Sequence, residues 1–412
     1  VNPLDILIVV ALGIAMAAPL GLGILHLAGK PAGERWSVIV ADLHSILLFV
    51  VSMSLVVTFV ATGAHSHEVH LPPPLVVEGY AWHPVFLIDR VSVTYFSLVS
   101  LVYPAIVRFS IPAFHREPGA PRYWFLVTLL AFALFAVSLA GNIDVLYVGW
   151  ELVGLCSIHL ISFFRQNPRA AENSLRALIY YRLCDAGLLG AAVWIHHSFP
   201  TAEFSHFHDD ATVHGAQVVG FLLLFASLAK SAQFPMSPWL HRAMEGPAAS
   251  SAIFYGALSV HLGPLLLLRT SPLWMQFPSV RLACIGVGVM TGIYATLVGR
   301  TRPDAKTSLA YATMAQLGAI YVEVGMGWHT LALVHLFAHA GLRTWQFLRS
   351  SSLIQDFQQN PLVFTDARLH VQRGFWGRVT PRAFQRGMYL AAMRLFWIDA
   401  LQWRFVARPW LA

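Results

Sequence analysis

Glu151, Asp185, Lys230 and Glu323 each interrupt a long apolar run, and His335, His339 and Arg343 follow one another at four-residue spacing in another. A charge at the centre of a bilayer costs several kcal/mol, so ionisable residues in such runs are candidates for function. The chemistry this set suits is proton or cation transfer. Burial weakens an ammonium's hold on its proton and a nearby carboxylate strengthens it. A Glu–Lys pair such as Glu151 with Lys230 could then load and release a proton as its separation or hydration changes. His335, His339 and Arg343 stack along one helix face. Static ion pairs that pin helices together are the alternative.

Pro235 and Pro238 come just after Lys230. Proline removes a backbone donor and breaks a helix. Broken helices inside transporters expose backbone dipoles beside ion sites, although a helix end at the membrane surface has the same sequence. Asp89 and Arg90, near the start of a span, read as a structural interfacial pair. Two loop clusters carry metal-ligand types: His65, His67, Glu68 and His70, then His206, His208, Asp209, Asp210 and His214. Neither has a standard ligand spacing, so both read as solvated loops and no metal is expected. Three cysteines without close pairing give neither a disulfide framework nor a zinc motif.

The elements that must position these residues are membrane spans. Of the 412 residues, 57% are hydrophobic and only 11% charged, against roughly 25% charged in an ordinary soluble domain. The mean hydropathy is +0.62. These values exclude a disordered chain, a nucleic-acid-binding domain and most soluble enzymes. A span needs about 20 mostly apolar residues. Such stretches fall near 4–27, 36–62, 85–110, 122–140, 142–164, 174–197, 215–240, 248–269, 280–299, 306–326 and 329–349. The expected fold is an all-α polytopic membrane protein of about eleven transmembrane helices. The first is read as a retained helix, since no basic region or small-residue cleavage site accompanies it.

Lysines and arginines concentrate in the odd-numbered connections: Lys30 and Arg35; Arg108, Arg116 and Arg122; Arg165, Arg169 and Arg176; Arg242; and Arg300, Arg302 and Lys306. The eighth connection, flanked by Arg269 and Arg281, is the exception among the even ones. The positive-inside rule then places the N-terminus outside and the C-terminus in the cytoplasm. From about Gln355 the chain turns polar and arginine-bearing. In the closing amphipathic stretch Trp397, Leu401 and Phe405 recur at four-residue spacing, which predicts one helix face lying at the interface or docking a partner.

Three long segments carry a resemblance. They are Gly149-Trp150-Glu151-Leu152-Val153-Gly154-Leu155-Cys156-Ser157; Lys230-Ser231-Ala232-Gln233-Phe234-Pro235 running on to Ala243-Met244-Glu245-Gly246-Pro247; and Lys306-Thr307-Ser308-Leu309-Ala310-Tyr311-Ala312-Thr313-Met314-Ala315-Gln316-Leu317-Gly318. They resemble the antiporter-type membrane subunits of respiratory complex I and of the multisubunit sodium/proton antiporters. The resemblance covers roughly 85–350 and, more loosely, the tail. It implies that Glu151 and Lys230 form a proton-handling pair, that Asp185 tunes it, and that Lys306 belongs to a polar axis linking two half-channels. It also implies an inverted-repeat fold divided as 1–121 (N-terminal helices), 122–269 (a complete repeat with its broken helix near Lys230), 270–350 (a truncated second repeat) and 351–412 (a partner-docking tail).

The departures point further. The family's axis histidine in the eighth span is Tyr255 here, and a usual lysine in the eleventh is Arg343, which does not release its proton. No second broken helix follows Arg349. The segments His335–Arg349 and Tyr389–Pro409 are similar to DabB-type membrane subunits of two-component inorganic-carbon accumulation complexes. That resemblance implies a cation-conducting subunit of the bacterial inner membrane, not itself an enzyme. It would carry no cofactor and would energise CO2 or bicarbonate uptake by a large cytoplasmic zinc-binding DabA-like subunit. A proton-translocating subunit of a complex I-type or Mrp-type assembly is the other reading, and an inert membrane anchor a third. Proton and sodium ion are not distinguished.

Overall fold

The computed structural model describes residues 2–77, 80–199, 201–207, 215–350 and 380–404. In chain order the helices are α1 (Pro3–Leu27), α2 (Glu34–Thr62), α3 (Arg90–Ala113), α4 (Ala120–Leu139), α5 (Ile143–Ile161), α6 (Pro168–Ser198) and α7 (Ala216–Lys230). Then come α8 (Trp239–Arg242), α9 (Ala248–Ser251), α10 (Leu262–Arg269), α11 (Ser271–Trp274), α12 (Pro278–Gly299), α13 (Ala305–Met326) and α14 (His329–Arg349). The tail supplies α15 (Arg382–Met393) and α16 (Ile398–Gln402). Among the described residues seven helices, α1 to α6 and α12, are long and apolar enough by themselves to cross a membrane. All eleven expected segments contain helix, but α7 is short.

Helix starts follow from local chemistry. Asp89, Asn142 and Asp304 precede α3, α5 and α13, and their side chains accept the backbone N–H of Ser92, Val145 and Thr307 at 2.8, 3.0 and 2.8 Å. Each thereby satisfies a first-turn donor that the helix leaves open. The α4 core is the centre of the bundle, 78% buried against 33% for α1, α2 and α12. The outer helices expose Ile6, Leu20, Ile24, Val57, Val60, Leu282 and Ile293. So many large apolar side chains exposed on spanning helices are the lipid-facing surface of a multi-pass membrane protein.

The expected helical membrane body is present, and three details of it change. In the second connection β1 (His67–His70) pairs antiparallel with β4 (Val85–Ile88), and β2 (Leu75–Val77) with β3 (Tyr80–Trp82). The third span therefore starts at Arg90, because the fully buried Val85-Phe86-Leu87-Ile88 is a strand. The eighth segment is not one helix. A π turn over Ala252–Ala257 and a 3-10 turn over Ser259–His261 separate α9 from α10. The tail does not present one continuous face either. Leu395, Phe396 and Trp397 have φ of 55°, 52° and 58°, which ends α15 and redirects the chain. Trp397 and Leu401 remain exposed. Phe405, His208, Asp209, Asp210, His214 and the charges of 351–379 lie outside the described residues.

Candidate functional site

The helix carrying Lys230 stops at that residue. Ala232 takes φ 48°, Gln233 N–H reaches back to the Leu228 carbonyl at 2.8 Å, and Pro235 offers no donor to continue. Helix resumes at Trp239. The expected break at Pro235 and Pro238 is thus present, with Lys230 on its edge.

Lys230 is 2% exposed at its side chain and Asp185 3%, and their Nζ and Oδ2 lie 3.8 Å apart. Lys230 also donates to the Trp150 carbonyl at 3.2 Å and sits 4.4 Å from the centre of the Tyr181 ring. The Trp150 indole N–H donates to Asp185 Oδ1 at 2.6 Å. Gly154 makes room for the ammonium: a Cβ there would stand 2.5 Å from Nζ. The motif around Glu151 therefore supplies a carbonyl, an indole and a gap.

Glu151 is not the direct partner of Lys230. Its carboxylate pairs with Arg182, which also reaches Asp185 at 3.1 Å. The Glu–Lys pair expected from sequence is instead a chain, Glu151–Arg182–Asp185–Lys230. It runs from a side chain 17% exposed, through one 43% exposed, to two that are almost fully enclosed. Arg182 went unrecognised because one more arginine in a long helix looks like an interfacial anchor. Its position three residues before Asp185, one face along, was the available signal. Chemically the chain joins a half-open carboxylate to an enclosed ammonium–carboxylate pair, with charges close enough to respond to one another.

A second polar cluster lies on α13, α14 and the 3-10 turn before α10. The His335 ring meets Glu323 Oε1 at 2.8 Å and Gln316 Oε1 at 3.1 Å. His339 meets His261 at 3.0 Å, and Arg343 donates to His339 at 3.1 Å and to Gln346 at 2.7 Å. The expected single face of His335, His339 and Arg343 is present. His261, fully buried, was missed, since one histidine in an apolar run reads as a packed core residue. Between the two clusters, Gly263 N–H donates to Ser231 Oγ at 3.0 Å and Tyr321 O–H to the Ser227 carbonyl at 3.1 Å. Lys306 is half-buried beside the Asp304 cap, at the opposite end of α13 from Glu323. Tyr255 falls in the π turn, and its side chain lies outside the described residues.

Asp89 does not pair with Arg90. It meets Arg269 at 2.7 Å, and Arg269, 3% exposed at its side chain, also donates to Ser92 Oγ at 2.6 Å. Arg269 is thus a buried structural cation beside a cavity of about 520 Å³ that Asp89, Arg90 and His329 help line. The loop clusters converge in part. His70 lies 3.8 Å from both Glu68 and Glu203, and His206 3.8 Å from Glu203.

A family model described as NADH:quinone oxidoreductase/Mrp antiporter, transmembrane, matches residues 140–372. NADH-quinone oxidoreductase subunit L of Mycobacterium tuberculosis is 28% identical over 82% of this chain and 55% of its own length. NADH-ubiquinone oxidoreductase chain 5 of Aspergillus niger is 32% identical over 67% of this chain and 42% of its own. Among solved structures, the Mrp complex from Dietzia sp. DQ12-45-1b superposes with a TM-score of 0.69 at 26% identity, over 84% of this chain and 37% of the matched one. The archaeal membrane-bound sulfane sulfur reductase superposes with a TM-score of 0.67 at 18% identity, a likeness of fold. The chain spans about half the length of the curated relatives it matches.

Proposed function

Because this chain belongs to the NADH:quinone oxidoreductase/Mrp antiporter membrane family, we propose that it is an antiporter-like, proton-translocating subunit of a multi-subunit membrane complex. The observation that carries this reading is the enclosed Lys230–Asp185 pair at the broken helix, joined through Arg182 to Glu151. An inert anchor has no use for ionised groups that are costly to desolvate. Protonation or movement of Lys230 changes the field at Asp185 and Arg182, so an ion passing there is felt along the chain of charges. Ser231, Tyr321 and His261 supply polar groups from this site towards His339 and His335. Sodium ions are the alternative cargo.

A second reading places the subunit in a two-component inorganic-carbon uptake complex, with the zinc chemistry of CO2 or bicarbonate in a large cytoplasmic DabA-like partner. It is supported by the sequence resemblance of His335–Arg349 and Tyr389–Pro409, and by Arg343, a poor proton relay at a relay position. One charge crossing 100 mV supplies about 2.3 kcal/mol, enough to bias a hydration or release step about 50-fold.

The test is to purify the complex through a tag on this chain, identify its partners, and follow its transport. Proton or sodium flux in proteoliposomes that Glu151→Ala lowers supports conduction. Partners that include a zinc protein, with protonophore-sensitive uptake of labelled inorganic carbon, select the second reading. Respiratory or Mrp-type partners exclude it. Flux indifferent to Glu151→Ala removes the conduction reading.

A further inference from the structure

The tail returns to the broken helix, touching it at Pro235 and Arg242, and to α6 beside it, at Arg176 and Tyr180. Arg242, at the end of α8, donates to Asp399 in α16, and Arg176 of α6 lies 3.9 Å from the same carboxylate. Arg176 also pairs with Glu172 at 2.7 Å and sits 3.6 Å from the centre of the Trp403 ring. Gln402 bridges the break itself. Its amide N–H donates to the Pro235 carbonyl at 2.7 Å, while its oxygen accepts from the Tyr180 hydroxyl at 2.9 Å. Pro235 lies in the non-helical stretch that follows Lys230, where carbonyls have lost their helical partners.

The approach to these contacts is strained. Leu395, Phe396 and Trp397 are three consecutive non-glycine residues in the left-handed region, a conformation L residues avoid in runs. Such backbone persists only where surrounding contacts impose it. Here Arg302 holds the near side, donating to the Met393 carbonyl at 3.2 Å, and Arg242, Arg176 and Gln402 hold the far side. Loss of the far contacts would let the turn relax and carry α16 off the break.

We propose that residues 394–404 form a sprung latch that holds the break after Lys230 closed, with Asp399 and Gln402 as positioning residues. Its bearing on ion passage rests on the conduction reading above; the latch itself does not. Closed, it fixes the Pro235 carbonyl and covers the non-helical stretch. Released, it exposes that stretch to water and frees α7 and α8 to move relative to one another. The exposed Trp397 and Leu401 lie on the same segment, where a pull from outside would act.

The test uses the full chain in detergent with Ser237→Cys, a buried position inside the break, and a charged maleimide as probe. The protein without that cysteine gives the background from the buried native thiols. Asp399→Asn and Gln402→Ala should each speed labelling about tenfold, the effect of one charged or bridging hydrogen bond on a two-state equilibrium. Asp399→Glu should keep it slow. Gln402→Ala carries the test alone if Asp399→Asn does not fold. Labelling unchanged by both, or accelerated equally by Asp399→Glu, would overturn the latch. Flux indifferent to substitution at Lys230 would remove the conduction reading and leave the labelling result standing.

Discussion

At the residue scale the site depends on who faces whom. Lys230 is held by one carboxylate, one carbonyl and two aromatic faces, and Gly154 leaves the space it occupies. A methyl at 154 would clash only with the end of the Lys230 side chain, its other neighbours, Arg182 and Tyr181, standing at 3.6 and 3.8 Å, so Gly154→Ala should fold and displace the ammonium. We expect ion flux to fall about tenfold, the cost of a misplaced group in a preorganised site, with the thermal midpoint in detergent little changed. Asp89 behaves differently. It is the counter-ion of an arginine 3% exposed at its side chain, and removing one partner of a buried pair costs about 3–5 kcal/mol. Asp89→Asn should therefore lower the thermal midpoint by several degrees. Glu151, Asp185 and Lys230 were legible from sequence because charge in an apolar run is conspicuous. Arg182 and Arg269 were not, since composition does not say whether an arginine within or beside a span anchors at an interface or joins an ion pair.

At the element scale the break after α7 meets the helix that the π and 3-10 turns lead into. Ser231 in the break lies against Gly263 in the first turn of α10, with Tyr321 of α13 beside both. A Cβ on Gly263 would stand 2.2 Å from Ser231 Oγ, 2.4 Å from the Tyr321 hydroxyl and 2.9 Å from the Ser227 carbonyl. Two of those neighbours are packed hydroxyls and one is backbone, so nothing flexible yields. Gly263→Ala should destabilise by about 1–3 kcal/mol, as overpacking does, measured as a lowered unfolding midpoint. Apolar length revealed that these segments were helical, and Pro235 and Pro238 marked the first break. The second was hidden because hydropathy reports what a stretch is buried in, not its pitch. The same ambiguity hid β4, whose four buried apolar residues read equally as strand or helix.

At the scale of the whole molecule, contacts distant in sequence decide the architecture. Asp89 and Arg269 are 180 residues apart, and Arg242 and Asp399 157. No periodicity reports such pairings, so the tail's return to the broken helix became visible only with the fold. The family was legible from three long segments, while the partner complex is a matter for the protein's own assembly. The central claim is that ions pass at Lys230. It is tested most directly by reconstituting the tag-purified complex, with a pH-sensitive dye inside the vesicles, and imposing a membrane potential. With Lys230→Ala, proton flux should fall about tenfold or more, one tenfold step for each 1.4 kcal/mol of lost stabilisation. Flux equal to that of the unsubstituted complex would contradict the account.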